Sequence, residues 1–156
     1  MNWRQRLEPF VRPLIFTWFR FNRGMTLGVR GIVERQDGHV VLVKHTYVPG
    51  WHLPGGGVET AETAATSLCR ELEEEAGVSP TQEPELLAIY SNHARFRGDH
   101  VLLFRVRQWE ACATDHDGEI SAVEWFDPAD LPEDTTPATR RRLAETFSEV
   151  VRSNEW

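Results

Sequence analysis

Apolar and β-branched residues dominate Met25–Val33 and again His39–Lys44, which predicts two strands with Asp37-Gly38 between them. An Asp-Gly pair in that position predicts a hairpin, because a type I′ turn needs positive φ at both central residues. An irregular loop follows, Pro49-Gly50-Trp51-His52-Leu53-Pro54-Gly55-Gly56-Gly57. The spacing of Ala65, Leu68, Leu72 and Ala76 then predicts a helix from about Ala61 to Ala76, stopped by Gly77 with Pro80 beyond it. Strands are predicted at Leu86–Ser91, His100–Val106 and Ile120–Phe126, and a last helix over Thr136–Val151. Before all of these, Pro13 and the aromatic residues up to Asn22 predict a short amphipathic helix over 13–22. Strands mixed with few helices imply an α/β or α+β sheet covered by helices.

Composition changes little in that picture. With 156 residues, 40% of them apolar and 26% charged, the chain is a single ordinary domain, and disordered, collagenous and coiled-coil classes are excluded. Its two cysteines, Cys69 and Cys112, and the lack of a secretory signal favour a reducing cytoplasm over a disulfide framework or a cysteine zinc site. Charge matters more. The net value is −7, yet residues 1–24 carry five arginines against Glu8 alone, so the remainder is strongly acidic. Such a body disfavours a surface that tracks duplex nucleic acid. It suits an anionic substrate only with a cation between them.

The helix after the glycine loop carries the chemistry. At ~100° per residue from Leu68, its apolar residues fall at about 0–80°, while Glu71, Glu74 and Glu75 crowd a stripe at about 240–340°. Like charges at these spacings, close to a helix C-terminus, are unfavourable without a cation to offset them. Oxygen ligands with no cysteine or paired histidine select Mg²⁺ first and Mn²⁺ second. Metal-assisted phosphoryl chemistry follows naturally, and the lack of a Gly-Lys-Ser/Thr loop sets aside a Walker-type ATPase.

Gly56, Glu62 and the run Arg70-Glu71-Leu72-Glu73-Glu74-Glu75-Ala76-Gly77-Val78 together resemble the Nudix box, G-x5-E-x7-R-E-U-x-E-E-x-G-U with U a bulky aliphatic residue. Every specified position is filled at its spacing. A weaker resemblance spreads over about 25–150 through Asp37-Gly38, the Leu53-Pro54-Gly55-Gly56 lead-in, and Trp125, Asp127 and Leu131-Pro132. It implies a Nudix fold, an α/β/α sandwich around a mixed sheet, in a domain over 25–156 with residues 1–24 as an extra N-terminal amphipathic segment. The implied activity is metal-dependent hydrolysis of a pyrophosphate bond in a nucleoside diphosphate linked to another moiety. By position, Glu71, Glu74 and Glu75 match the metal carboxylates, and the Gly55 carbonyl matches a frequent further ligand. Arg70 would orient the carboxylates, Glu62 would pair it, Gly56 would allow close backbone approach and Gly77 the helix stop. The family's usual glycine just before the first box glutamate is Ala61 here, which bears on the loop's conformation rather than on the metal site.

Glu119 sits where many family members place a glutamate that activates or ligates water, with His116 behind it as a second choice; either is otherwise a loop residue in solvent. Substrate candidates are Lys44, Tyr47, Trp51, His93, Arg95, Arg97 and His100. Trp51 or Tyr47 would stack a base, unless Trp51 is core cover, and Arg95 or Arg97 would neutralise phosphate oxygens, unless they are solvated strand-end charges. The leader, with Phe16, Trp18, Phe19 and Phe21 among arginines, is read as packing on its own domain or a homodimer mate rather than on an anionic membrane surface. Two other functions stay open at this point, a non-catalytic nucleotide-sensing module and a membrane-peripheral hydrolase.

Overall fold

The computed structural model describes residues 24–114, 118–148 and 150–156. Its elements in order are β1 (Thr26–Val33), β2 (Val40–His45), α1 (Ala64–Ala76), β3 (Val78–Pro80), β4 (Glu85–Ser91), β5 (Asp99–Val106), β6 (Trp109–Ala111), β7 (Ile120–Phe126) and α2 (Pro137–Phe147). Strand β5 is central, parallel to β1 and antiparallel to β4. Strands β2 and β7 pair antiparallel, as do the short β3 and β6. The predicted leader helix and His116 lie outside the described residues.

Strand periodicity explains the layers. Val29 and Val33 of β1, Val41 of β2, and Leu102, Phe104 and Val106 of β5 pack with Leu68 and Leu72 of α1. The alternate positions Ile32, Val40, Leu42 and Leu103 pack on the other side with Trp51, Tyr90 and Leu143 of α2. Side chains two apart share a face, so one set of strands builds a core beneath each helix. This is the expected α/β/α arrangement. Gly31 lets α1 lie close to β1, since a Cβ there would stand 3.1 Å from Leu72 Cδ2 and 3.3 Å from Leu68 Cδ1.

The predicted hairpin is only half present. Gly38 N–H donates to Arg35 O and Arg35 N–H to His39 O, and Gly38 alone has positive φ, +86°. That is a three-residue turn rather than a type I′ turn. Beyond one bridge, Glu34 with Val40, the strands part, β1 to β5 and β2 to β7. Helix α1 starts three residues later than the spacing predicts because Thr63 caps it, its side chain accepting from Thr66 N at 3.1 Å. Gly77 ends it with φ 65°, as expected. Helix α2 stops at Phe147, and the chain returns to β4, where Trp156 N–H donates to Ser91 O.

Candidate active site

The glycine loop is laced to β1. Val29 N–H donates to Gly56 O, Gly31 N–H to Pro54 O, and Val58 N–H to Leu27 O, each at 2.9 Å. Side chains have no room along this seam. A Cβ on Gly55, whose φ is 138°, would stand 2.2 Å from Val29 O, and one on Gly56 would stand 2.2 Å from Glu71 Oε1. The carboxylate of Glu71 therefore lies against the bare backbone of Gly56. Glu75 reaches the same loop, accepting from Gly55 N at 2.7 Å.

Arg70 organises the rest. Its Nε and Nη2 donate to Glu62 Oε1 and Oε2 at 3.0 and 3.2 Å, while Nη1 donates to Glu71 Oε1 at 2.8 Å and Glu74 Oε2 at 3.2 Å. Ser67 Oγ adds a bond to Gly57 O at 2.9 Å, pinning the loop's far end to α1. Two carboxyls remain poorly solvated. Burial pushes Glu75 up to about 7, against the opposing bond from Gly55, and burial also raises Glu71 against its contact with Arg70. Glu74 is more exposed than either.

Sequence reasoning missed three neighbours of these groups. His45, at the end of β2, lies with Nε2 3.8 Å from Glu75 Oε1. Burial, then the charges of His52 and Arg30, hold it down to about 4, so the contact is between a neutral imidazole and a carboxyl rather than an ion pair. The His52 ring meets it edge-on at 5.5 Å. Arg30, on β1, places its charge in the field of both Glu75 and Glu71. An arginine within an otherwise apolar strand was the available signal, since a half-buried cation there needs a reason.

The predicted substrate residues divide. Tyr47 is 67% exposed, its ring 5.2 Å from His45, and it feels the charges of Glu119, Glu75 and Arg30. Glu119 borders the site, its carbonyl accepting from Thr46 N and its charge acting on Glu75. Trp51 is corrected. Only 5% exposed, it packs edge-on against Phe126 at 4.8 Å within the core and cannot stack a base. Lys44 is engaged elsewhere in the fold, its Nζ pairing with Asp134 Oδ2 at 2.7 Å and lying over the Trp51 ring. Arg95 and Arg97 are exposed in the loop after β4, with Arg95 close enough for its charge to act on His52. His93 and His100 serve that loop, both meeting Gly98 backbone through Nδ1 at 3.4 Å.

As placed, no three His, Cys, Asp or Glu side chains among the described residues close on a single point, because Arg70 engages Glu71 and Glu74. The donors nevertheless suit a hard cation. They are all carboxylate oxygens, two of them lie against a loop of bare backbone, and burial disfavours their charge until a cation joins them. Among the described residues no helix is long and apolar enough to cross a membrane.

Comparison with known proteins agrees with this geometry. The model of the NUDIX domain matches residues 24–147. A MutT-like protein of Streptomyces ambofaciens is 31% identical over 123 residues, covering 79% of this chain and 72% of that protein. An RNA pyrophosphohydrolase of Xanthomonas oryzae pv. oryzae is 38% identical over 79 residues, covering 51% of this chain and 35% of that protein. The crystal structure of a MutT NUDIX hydrolase from Burkholderia pseudomallei superposes with a TM-score of 0.67 at 27% identity, covering 78% of this chain and 98% of that one. With the box carboxylates gathered at the glycine loop, the chain belongs to the Nudix family and is a hydrolase of pyrophosphate bonds.

Proposed function

We propose that this chain hydrolyses a pyrophosphate bond in a nucleoside diphosphate linked to another moiety, using Mg²⁺ with Mn²⁺ as substitute. The observation that carries the reading is the placement of Glu71 and Glu75 against the bare backbone of Gly56 and Gly55, where burial disfavours their charge. The names of two relatives, one MutT-like and one an RNA pyrophosphohydrolase, support a nucleotide-derived substrate.

In this reading Glu71, Glu74, Glu75 and the Gly55 carbonyl would hold the metal. Bound there, it supplies positive charge for the phosphate oxygens and a lowered pKa for water. Arg70 fixes the directions of Glu71 and Glu74, and Glu62 fixes Arg70. Glu119, exposed at the rim, takes the proton of the attacking water. Tyr47 stacks the base, and Arg95 and Arg97 face the phosphates from the neighbouring loop. The hydrolase domain spans 25–156, and residues 1–23 of the N-terminal segment before it lie outside the described residues.

The test is product release from nucleoside di- and triphosphates, sugar nucleotides and dinucleotides with Mg²⁺ and with Mn²⁺. Turnover that chelator and Glu74→Gln both abolish in folded protein is the expected result. Silence across the panel from folded, metal-binding protein would favour the nucleotide-sensing module.

A further inference from the structure

Arg30 occupies the residue of β1 around which the glycine loop is fastened. The amides of its neighbours Val29 and Gly31 hold Gly56 O and Pro54 O, and the loop comes so close that a Cβ on Gly55 would stand 3.0 Å from Arg30 Cα. The side chain is half-buried, yet its hydrogen bond is a long one, Nη1 to Val29 O at 3.3 Å. Among the described residues no carboxylate lies within ion-pair distance of it. Other poorly exposed arginines of the chain are matched: Arg70 with Glu62, Arg105 with Glu34 and Arg142 with Glu145.

The two carboxyls nearest in charge, Glu75 and Glu71, are held by other donors, the Gly55 amide and Arg70. Arg30 nonetheless stands at the electrostatic centre of the site, since Glu71, Glu75, His45, His52 and Tyr47 all feel its charge. A guanidinium offers five N–H donors in a planar fork. Withdrawing such a cation from water is unfavourable unless a partner offsets it. With one long hydrogen bond and no ion pair, this fork has donors to spare for phosphate oxygens, which guanidinium binds bidentately and a lysine ammonium does not.

We propose that Arg30 is a substrate-contacting residue whose guanidinium takes non-bridging phosphate oxygens of the pyrophosphate group. The inference rests on the pyrophosphohydrolase reading above and adds a residue outside the box to it. A competing role, in which Arg30 only balances the charge of Glu71 and Glu75, predicts a different set of effects.

The experiment measures binding of methylenediphosphonate, an uncleavable pyrophosphate analogue, by calorimetry at saturating Mg²⁺, and binding of Mn²⁺ alone by electron paramagnetic resonance. Arg30→Gln should weaken the analogue by about 10–100-fold, the range for losing hydrogen bonds to a charged partner. Its Mn²⁺ affinity should stay unchanged or rise. Unchanged analogue binding overturns the proposal, as does a loss of Mn²⁺ affinity in proportion to the loss of analogue. Arg30→Lys keeps the strand and the charge but not the fork, so it decides the question where the glutamine variant fails to fold. A loss smaller than that range but measurable is expected, and full affinity overturns the proposal. Wild-type protein that binds Mn²⁺ but neither binds the analogue nor cleaves any compound of the panel would remove the function reading itself, and this inference with it.

Discussion

The amide of Gly55 donates to Glu75 Oε2 at 2.7 Å, joining the glycine loop to α1 across twenty residues of sequence. The bond makes the loop's backbone conformation and the carboxylate's position a single arrangement. Gly55 can donate only because its φ of 138° is open to glycine, and Glu75 can accept only because α1 is pinned at Ser67 and Arg70.

Burial of Glu75 has a consequence for metal-free protein. Its carboxyl titrates at about 7 in the fold against 4.5 as the ordinary value. A raised folded value means stability fully present below about 4.5 and lost as pH rises through about 7. His45 works with the opposite sign, its folded value of about 4 taking stability away as pH falls. The informative quantity is therefore the difference between wild type and Glu75→Gln. In chelator, the glutamine variant should gain on wild type by on the order of 2–3 kcal/mol between pH 4.5 and 8. Urea unfolding at several pH values reads this directly, and a flat difference would contradict it.

Three successive glycines should respond differently to alanine. Gly55→Ala puts a Cβ into Val29 O at positive φ, and should cost about 2–4 kcal/mol of stability. Gly56→Ala drives its Cβ into the Glu71 carboxylate, so turnover should fall far more than the melting temperature. Gly57→Ala meets nothing within 4 Å and should stay within about 0.5 kcal/mol of wild type with activity retained. Melting curves and kcat/KM on the three variants separate a loop that folds from a loop that shapes a ligand site.

Much of this site is legible in the sequence because its parts are local. Gly56, Glu62, Arg70, Glu71, Glu74 and Glu75 lie within twenty residues, and a helical period brings four of them to one stripe. The rest depends on pairing between distant strands. Trp51 and Lys44 read as site residues from their neighbours in the chain, yet β2 turns Lys44 toward Asp134 and the core closes over Trp51. His45 and Arg30 reach the site only because β1, β2 and the glycine loop are stacked. The hairpin misleads for the same reason, since β5 and β7 compete successfully for the two strands that Asp37-Gly38 joins.

Ala61 is the non-glycine residue with positive φ among those described, at 71°. It stands where the family resemblance leads one to look for glycine, and the loop has kept the glycine conformation. A left-handed L-residue costs roughly 1–2 kcal/mol, and the extra unfolded-state freedom of glycine returns part of that. Ala61→Gly should therefore stabilise the protein by about 0.5–1 kcal/mol with kcat unchanged, because the loop conformation is already the one glycine prefers. Urea midpoints at constant m-value test it, and a destabilised variant would show that the strain is relieved elsewhere.

Tyr47 and Trp51 separate a binding aromatic from a structural one. Trp51 is enclosed by Phe126 and Lys44, so Trp51→Ala leaves a cavity and should cost about 3–5 kcal/mol of stability. Where that variant folds, its KM should be close to wild type. Tyr47 is two-thirds exposed and packs little beyond the His45 ring, so Tyr47→Ala should move stability by no more than about 0.5 kcal/mol. Its loss should appear in binding instead. Base stacking on an aromatic side chain is worth about 1–3 kcal/mol by alanine substitution, which raises KM by roughly 5–150-fold. Tyr47→Phe, which keeps the ring, should restore most of that. A KM that follows the hydroxyl rather than the ring would assign Tyr47 to the polar network of Glu119 and Arg30 and leave the base to another surface.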